Sequence, residues 1–463
     1  MLTMQANPIF DADLIRRYDK AGPRYTSYPT AVQFHDGFDE SEYRRQATIS
    51  NARGGPLSLY FHIPFCDTVC YYCACNKVVT KVRAKAVPYL DDVYREMALQ
   101  AALFEPGRPV EQLHWGGGTP TFLSPDQMRE LMARTGRHFA LKTDDTGEYS
   151  IEIDPREADA GTVAVLRELG FNRMSLGVQD FDPTVQQAVN RIQSEAQTLA
   201  VLQAARAEGF HGVSVDLIYG LPFQTVDSFL RTLDRVIDAS PDRLSVFNYA
   251  HLPTRFMPQR RINADDLPAP AVKLSILEAT IERLTSAGYV LIGMDHFAKP
   301  EDPLAIAQRE GSLYRNFQGY ATHAECDLVA MGVSAISQVG DSFSQNVKDL
   351  ETYRLMLAEG RLPIERGLVV NDDDKLRRAV ITELICHFEL DGDAIGERFG
   401  IPFADYFSTE LEHLAPFIDD GLVRVDGNRI QVLPVGRLMI RNVCMTFDRY
   451  LDTAGERRFS RTL

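Results

Sequence analysis

The sequence predicts an α/β fold in which a parallel sheet of six βα units follows an irregular arm and precedes a small winged-helix-like α+β unit. Three observations predict it. Six β-rich runs, Leu57 to Ile63, Gln112 to Trp115, Tyr149 to Ile153, Arg173 to Val178, Gly212 to Ile218 and Arg243 to Asn248, each lead into polar, Gly or Pro residues and then a helical pattern. Strands that alternate with helices build parallel sheets. Three segments, LRELGFNRMSLGVQ, ARAEGFHGVSVDLIYG and TSAGYVLIGMDHF, share helix-like residues, a glycine, an aromatic and a β-rich run. Their glycines, Gly170, Gly209 and Gly288, fit one and two copies of a repeat of about forty residues whose helix stops at a left-handed glycine. After about residue 366 the pattern changes, and the βα grammar ends.

Taken in order, residues 1–50 form an arm whose AGPRYTSYPT run is too aperiodic for a long helix and suits a lid or a wrapping strap. Residues 51–365 hold the βα units and their extension. Within them Ser194 with Gln197 forms a capping box, and Val226, Phe229, Leu230, Leu233, Val236 and Ile237 make one apolar stripe that belongs to the core. Residues 366–463 read as a helix from Asp373 to Cys386, a helical stretch near Tyr406 to Phe417, and strands LVRV and RIQVL joined by the turn Asp426-Gly427-Asn428. Periodicity alone fits an open doubly wound sheet as well as a complete or partial barrel. In all six units, however, the unusual residues lie at or just past the strand's C-terminal end, where both folds carry their chemistry.

Bulk properties exclude several classes. Of 463 residues, 45% are apolar and 24% charged, an ordinary globular composition. Lys and Arg number 49 against 64 Asp and Glu, a net charge of −15, so there is no broad positive field for nucleic acid or an anionic membrane. The winged-helix-like unit is no exception, with nine acids and eight Lys or Arg from Ile401 to Leu463. The start lacks a basic segment followed by an apolar one, and no run approaches eighteen apolar residues. A cytoplasmic protein without membrane insertion is expected. Nothing marks an oligomer interface, and a monomer is the expectation.

Four of the seven cysteines fall between positions 66 and 75, which points to a metal rather than a disulfide framework. Cys326, Cys386 and Cys444 are scattered and read as small buried hydrophobes. In CDTVCYYCAC, Cys66, Cys70 and Cys73 are spaced C-x3-C-x2-C directly after the first strand, with Cys75 beyond them. Three thiolates on one short loop suit an iron–sulfur cluster whose fourth iron has no protein ligand. A structural zinc site wants four ligands, commonly as two C-x2-C pairs, and there is no second pair. A zinc-binding interaction module stays as the alternative from another class.

The run Trp115-Gly116-Gly117-Gly118-Thr119-Pro120 follows strand two; its glycines let backbone groups approach a ligand, although a tight turn explains it equally well. Strand three places Glu152 and Asp154 on one face before Pro155 stops it. Such carboxylates suit ribose hydroxyls or an ammonium, or are merely solvated acids. Strands four to six end in Gln179 with Asp180 and, further on, Asn190 and Arg191, in Asp216, and in Asn248 to His251. Polar groups at three consecutive strand ends favour one shared pocket.

The cysteine spacing after the first strand of a repeated βα protein resembles radical S-adenosylmethionine (SAM) enzymes. Beyond that, PRYTSYPT, YFHIPFC, CACNK, HWGGGTPT, GVQDF, DLIYGLP, SVFNYAHLP, GMDHFA, RNFQGY and MGVSAIS together resemble the oxygen-independent coproporphyrinogen III oxidases of bacterial heme synthesis, from about residue 16 to the C-terminus. Ala74 departs from the family, which usually has Gly there. The resemblance implies a partial (β/α)6-type radical SAM barrel. It further implies a 4Fe-4S cluster on Cys66, Cys70 and Cys73, one or two molecules of SAM, and oxidative decarboxylation of two propionates of coproporphyrinogen III to vinyls, giving protoporphyrinogen IX. An electron donor and an electron acceptor are implied partners. By motif, Tyr60, Tyr72, Gly117, Gly118, Thr119, Glu152, Gln179, Arg191, Asp216, Ala250 and Ile336 are implied cofactor contacts, Cys75 is a non-ligand beside the cluster, and Tyr60 and His62 are the catalytic candidates. On its own, His62 would more often be a satisfied core histidine. A heme-binding chaperone on the same barrel shares HIPFC and GGGTP but typically lacks the aromatic arm and the C-x-C-N extension, both present here. Lys77, Lys81, Arg83 and Lys85 have no acid between them; such a run is usually a solvated face, and with Arg24 it is also a candidate for drawing in a substrate with four carboxylates.

Overall fold

The computed structural model describes residues 7–451, 459 and 461, so the first six residues of the arm and most of the tail after residue 451 lie outside the described residues. The chain packs as two compact units, one of residues 34–269 and 325–369, the other of residues 1–33, 270–324 and 370–463. Neither is continuous in sequence.

The first unit is built on a sheet whose parallel strands are β1 (Leu57–Ile63), β2 (Pro109–Gly117), β3 (Glu148–Ile153), β4 (Arg173–Gln179), β5 (Gly212–Tyr219), β6 (Arg243–Asn248) and β7 (Asp327–Met331). Their order is β6-β5-β4-β3-β2-β1-β7, so the six expected strands lie side by side in chain order, all parallel, as in a partial barrel. β7 extends the sheet on the far side of β1, pairing Tyr60 with Ala330. Antiparallel β8 (Ile336–Val339), β9 (Ser342–Asn346) and β10 (Ile364–Val369) follow it. Strands β3, β4 and β5 alternate between buried and half-buried residues. The half-buried set, Glu152, Gly177, Gln179, Ser175 and Asp216, is where polar groups are concentrated.

Helices return between the strands. α1 (Ala86–Ala101) follows the cysteine loop, and α2 (Val226–Ala239) buries Phe229, Leu233 and Val236 from the expected stripe. Thr225 and Ser228 close a reciprocal capping box on α2. Ser194 accepts from Gln197 N at 3.2 Å, but a reciprocal bond is not among the described ones, so only half of the expected box is present there.

In the second unit the tyrosines of the arm, Tyr25 and Tyr28, belong to a core with Ile381, Leu384, Phe407 and Phe447. The β-rich run after Gly288 is an antiparallel hairpin of Val290–Gly293 with His296–Ala298, so the third copy of the glycine repeat is not a βα unit. α3 (Asp372–His387) carries an Asn371–Asp374 capping box. Arg429–Val432 pairs antiparallel with both Val423–Asp426 and Glu389–Asp391, which gives the helix-and-wing pattern with one strand more than the sequence suggested. The helical stretch near Tyr406 is three short helices rather than one. Cys386 and Cys444 are fully buried there, whereas Cys326 of the first unit is only half-buried. No helix of the described residues is long and apolar enough to cross a membrane.

Candidate active site

The cysteine loop begins where β1 ends and is fixed by its own backbone. Val78 N donates to Pro64 O at 2.7 Å, Thr80 N to Cys66 O at 2.9 Å, and Tyr71 N to Val189 O at 2.9 Å. Held this way, Cys66, Cys70, Cys73 and Cys75 line one side of a cavity of about 250 Å³. Burial pushes the Cys66 thiol up to about 11, against a hydroxyl bond from Thr119 at 3.6 Å. The Cys75 thiol, against the opposing effect of burial and with help from Lys77, pulls the Cys73 thiol down to about 6.

The glycine turn at the end of β2 forms the next wall. Gly118 N donates to Ile63 O and Thr119 N to Phe65 O, both at 2.8 Å, which stitches the turn to the end of β1. Gly117 N donates to Glu152 Oε2 at 3.0 Å. Gly117 has φ +112°, and a Cβ there would sit 2.6 Å from the His62 ring, so the position needs glycine for both conformation and space.

Strand ends supply the remainder. Glu152 faces the cavity, 47% exposed to it, with His114 Nε2 3.5 Å from its other oxygen. Burial works to raise its carboxyl, but His114 and Gly117 N outweigh it and the net direction is down, so Glu152 is an anion. Asp216 is the opposite case: burial raises its carboxyl to about 6 despite a bond from the Ser175 hydroxyl at 2.9 Å. Gln179, at φ +66°, sits at a bulge where Gly177 pairs with Asp216 and Gln179 with Leu217. A bulge re-aims the side chain that follows it. Arg191 is 7% exposed, bonded to Asp154 Oδ2 at 3.0 Å, Gly177 O at 2.5 Å and Cys70 Sγ at 3.5 Å, while its Nε has no partner.

Of the residues singled out in the sequence, the three candidate ligands, Cys75, Tyr72, Gly117, Gly118, Thr119, Glu152, Gln179, Arg191 and Asp216 all line this cavity. Tyr60, His62, Ala250 and Ile336 lie off its walls. Tyr60 stacks on His114 with ring centroids 5.7 Å apart. His62 is 7% exposed and held at both nitrogens, by Asn76 O at 3.0 Å and Tyr60 OH at 3.1 Å. A carbonyl only accepts, so Nε2 carries the proton and Nδ1 accepts from Tyr60. Burial lowers the His62 pKa, which keeps the ring neutral. Ala250 is exposed just past β6, and Ile336 opens β8 opposite Gln345.

Sequence reasoning missed His114 and Arg156. Neither stands in a recognisable spacing; the cue for His114 is its register opposite Tyr60 on the neighbouring strand. The basic run is also less free than it reads. Arg83 is bound to Asp67 at 2.6 Å and Glu157 at 2.8 Å, Lys77 to Cys73 O at 3.1 Å, and Arg24 to Asp295 at 2.6 Å. The fold brings in acids that the linear sequence keeps apart.

The Radical SAM superfamily model matches residues 60–236, and the HemN C-terminal domain model matches residues 370–439. The chain is 58% identical to the oxygen-independent coproporphyrinogen III oxidase of Pseudomonas aeruginosa over 98% of its own length and 99% of the relative's. The chain belongs to the oxygen-independent coproporphyrinogen III oxidase family. The Escherichia coli member is 51% identical over 98% of each chain. A solved structure of coproporphyrinogen III oxidase from Escherichia coli, described as a radical SAM enzyme, superposes with a TM-score of 0.92 at 50% identity, covering 96% of this chain and 100% of that one. In this chain the C-x3-C-x2-C run, Cys66 to Cys73, falls inside the matched radical SAM segment, on the cavity just described.

Proposed function

We propose that this oxidase-family chain is a radical SAM oxidoreductase that converts two propionates of coproporphyrinogen III to vinyls without oxygen, giving protoporphyrinogen IX. The observation that carries the reading is that the Cys66, Cys70 and Cys73 thiols share one cavity with the Gly117 turn, Glu152, Asp216 and the guanidinium of Arg191, whose Nε has no hydrogen-bond partner. These residues fit the implied groups: soft thiolates for iron, and anionic and cationic partners for the zwitterionic end of SAM.

In this reading Cys66, Cys70 and Cys73 would hold a 4Fe-4S cluster, which together with SAM would supply the radical chemistry needed to remove a hydrogen atom from a propionate. Arg191 faces the carboxylate of SAM, the Glu152 anion its ammonium or a ribose hydroxyl, and Asp216 with Gln179 further hydroxyls. Gly117, Gly118 and Thr119 bring backbone close to the cofactor, and Tyr72 covers it. The resemblance assigns Ala250 and Ile336 to SAM as well, from positions off the walls of this cavity, and a second SAM molecule beside the first. Tyr60 and His62 are assigned to the reaction side of β1; the neutral, doubly bonded His62 orients the Tyr60 hydroxyl rather than carrying charge. Each propionate loses one hydrogen atom, CO2 and one electron, so an electron acceptor is required, and an electron donor must reduce the cluster. Seven cysteines without a disulfide among the described residues support a reducing, cytoplasmic setting.

The test is anaerobic turnover of coproporphyrinogen III with stoichiometric 5′-deoxyadenosine. Replacing Cys66, Cys70 or Cys73 by Ala one at a time abolishes both products. A wild-type protein that binds heme and forms no vinyl product is a chaperone, and a colourless protein carrying zinc is neither.

A further inference from the structure

β3 ends in Asp154-Pro155-Arg156. The proline stops the strand, and Asp154 accepts from Arg156 N at 3.1 Å, so the chain turns once and returns the Arg156 side chain toward the cavity. There its guanidinium grips Asp154 with Nε at 3.0 Å and Nη2 at 2.6 Å. The same Nη2 lies 3.4 Å from Cys70 Sγ, and Arg191 Nη1 approaches that sulfur at 3.5 Å. The side chains of Arg156 and Asp154 are 16% and 10% exposed, so water screens them little. Among the groups bonded at this candidate ligand sulfur there are therefore two cations and one anion, an excess of one positive charge, while elsewhere on the cavity wall the Glu152 anion and the Arg83-bound carboxylates carry negative charge. Asp67 and Glu157, which also line the cavity, are engaged by Arg83.

Reduction potentials of iron–sulfur clusters rise with hydrogen bonds to sulfur and with positive charge nearby, because the reduced form carries one more electron. We propose that Arg156 is a tuning residue that raises the reduction potential of the cluster through its N–H to Cys70 Sγ, and that Asp154 sets how much of its charge the cluster feels. The inference rests on Cys66, Cys70 and Cys73 being the cluster ligands. A purely structural Arg156 would hold Asp154 and leave the potential alone.

The experiment is an anaerobic redox titration of the reconstituted full-length protein without SAM, following the reduced-cluster EPR signal in wild type, Arg156→Gln, Arg156→Lys and Asp154→Asn. At the wild-type midpoint, Arg156→Gln lowers the ratio of reduced to oxidised cluster about tenfold, equal to a shift of about 59 mV to more negative potential for one electron. Arg156→Lys keeps the charge and shifts less, and Asp154→Asn shifts the midpoint to more positive potential. Unchanged midpoints in Arg156→Gln and Asp154→Asn, or shifts of the same sign, overturn the proposal. If Arg156→Gln does not retain a cluster, Asp154→Asn decides alone: an unmoved or more negative midpoint refutes it. No cluster signal in the wild type would instead refute the ligand assignment.

Discussion

Asp216 shows how the site sets function against stability. Its carboxyl is raised to about 6 chiefly by burial, so the folded chain holds that proton more tightly than the unfolded chain. The sign follows: the raised group costs nothing below its unfolded pKa, and stability falls as pH rises through about 6. Asp216→Asn is expected to gain about 2 kcal/mol of stability at pH 7.5 and nothing at pH 3.5, read by denaturant unfolding at the two pH values, while losing SAM affinity. Gly117→Ala is expected instead to lose stability. The added methyl meets the His62 ring at 2.6 Å on a backbone with φ +112°, so it costs about 1–3 kcal/mol and displaces the turn; an unchanged Tm would contradict the packing described. The cysteines and the glycine turn were legible because their spacing is itself the signal. Arg156 was not, because its place beside Cys70 depends on one turn after β3 that no periodicity announces.

Elements divide the same way. Each of the six parallel strands was legible from a β-rich run and the helix pattern behind it, with ends displaced by three residues at most. β9 was not. It is buried throughout yet reads Ser342-Phe343-Ser344-Gln345-Asn346, the composition of a loop. Its Ser342, Gln345 and Asn346 side chains are affordable because they have partners, above all Asn346, which donates to Glu96 Oε1 at 2.7 Å and to Gly332 O at 2.9 Å. Glu96 on α1 also accepts from Gly332 N at 2.8 Å and Tyr353 OH at 2.5 Å, and Tyr89 of the same helix donates to His62 O at 2.6 Å. This helix therefore holds both the turn before Ile336 and the strand that bears His62. Glu96→Leu strips three buried donors of their acceptor and is expected to cost on the order of 3 kcal/mol in denaturant unfolding, Glu96→Gln much less; equal effects would argue against the network. Burial raises the Glu96 carboxyl to about 7, so the wild type loses stability as pH rises through 7 and Glu96→Gln does not. On α2, Thr225→Ala removes a cap worth about 1 kcal/mol, a loss visible in the same measurement.

At the scale of the molecule, the sequence indicated an irregular arm, a βα body and a helix-and-wing segment, while the packing gathers the chain into two discontinuous units. Long-range pairing is why. Residues 325–369 return to the sheet beside β1, and the arm's tyrosines join a core drawn from residues far down the chain. Neither event leaves a local pattern, whereas the net charge of −15 is read directly from composition. The central claim, that three thiols of one loop hold a cluster with one open iron, is tested most directly by EPR of the anaerobically reduced protein before and after SAM is added. The account predicts a 4Fe-4S signal that changes on addition of SAM and is lost in Cys70→Ala. A signal indifferent to SAM, or bound zinc with no iron, would contradict it.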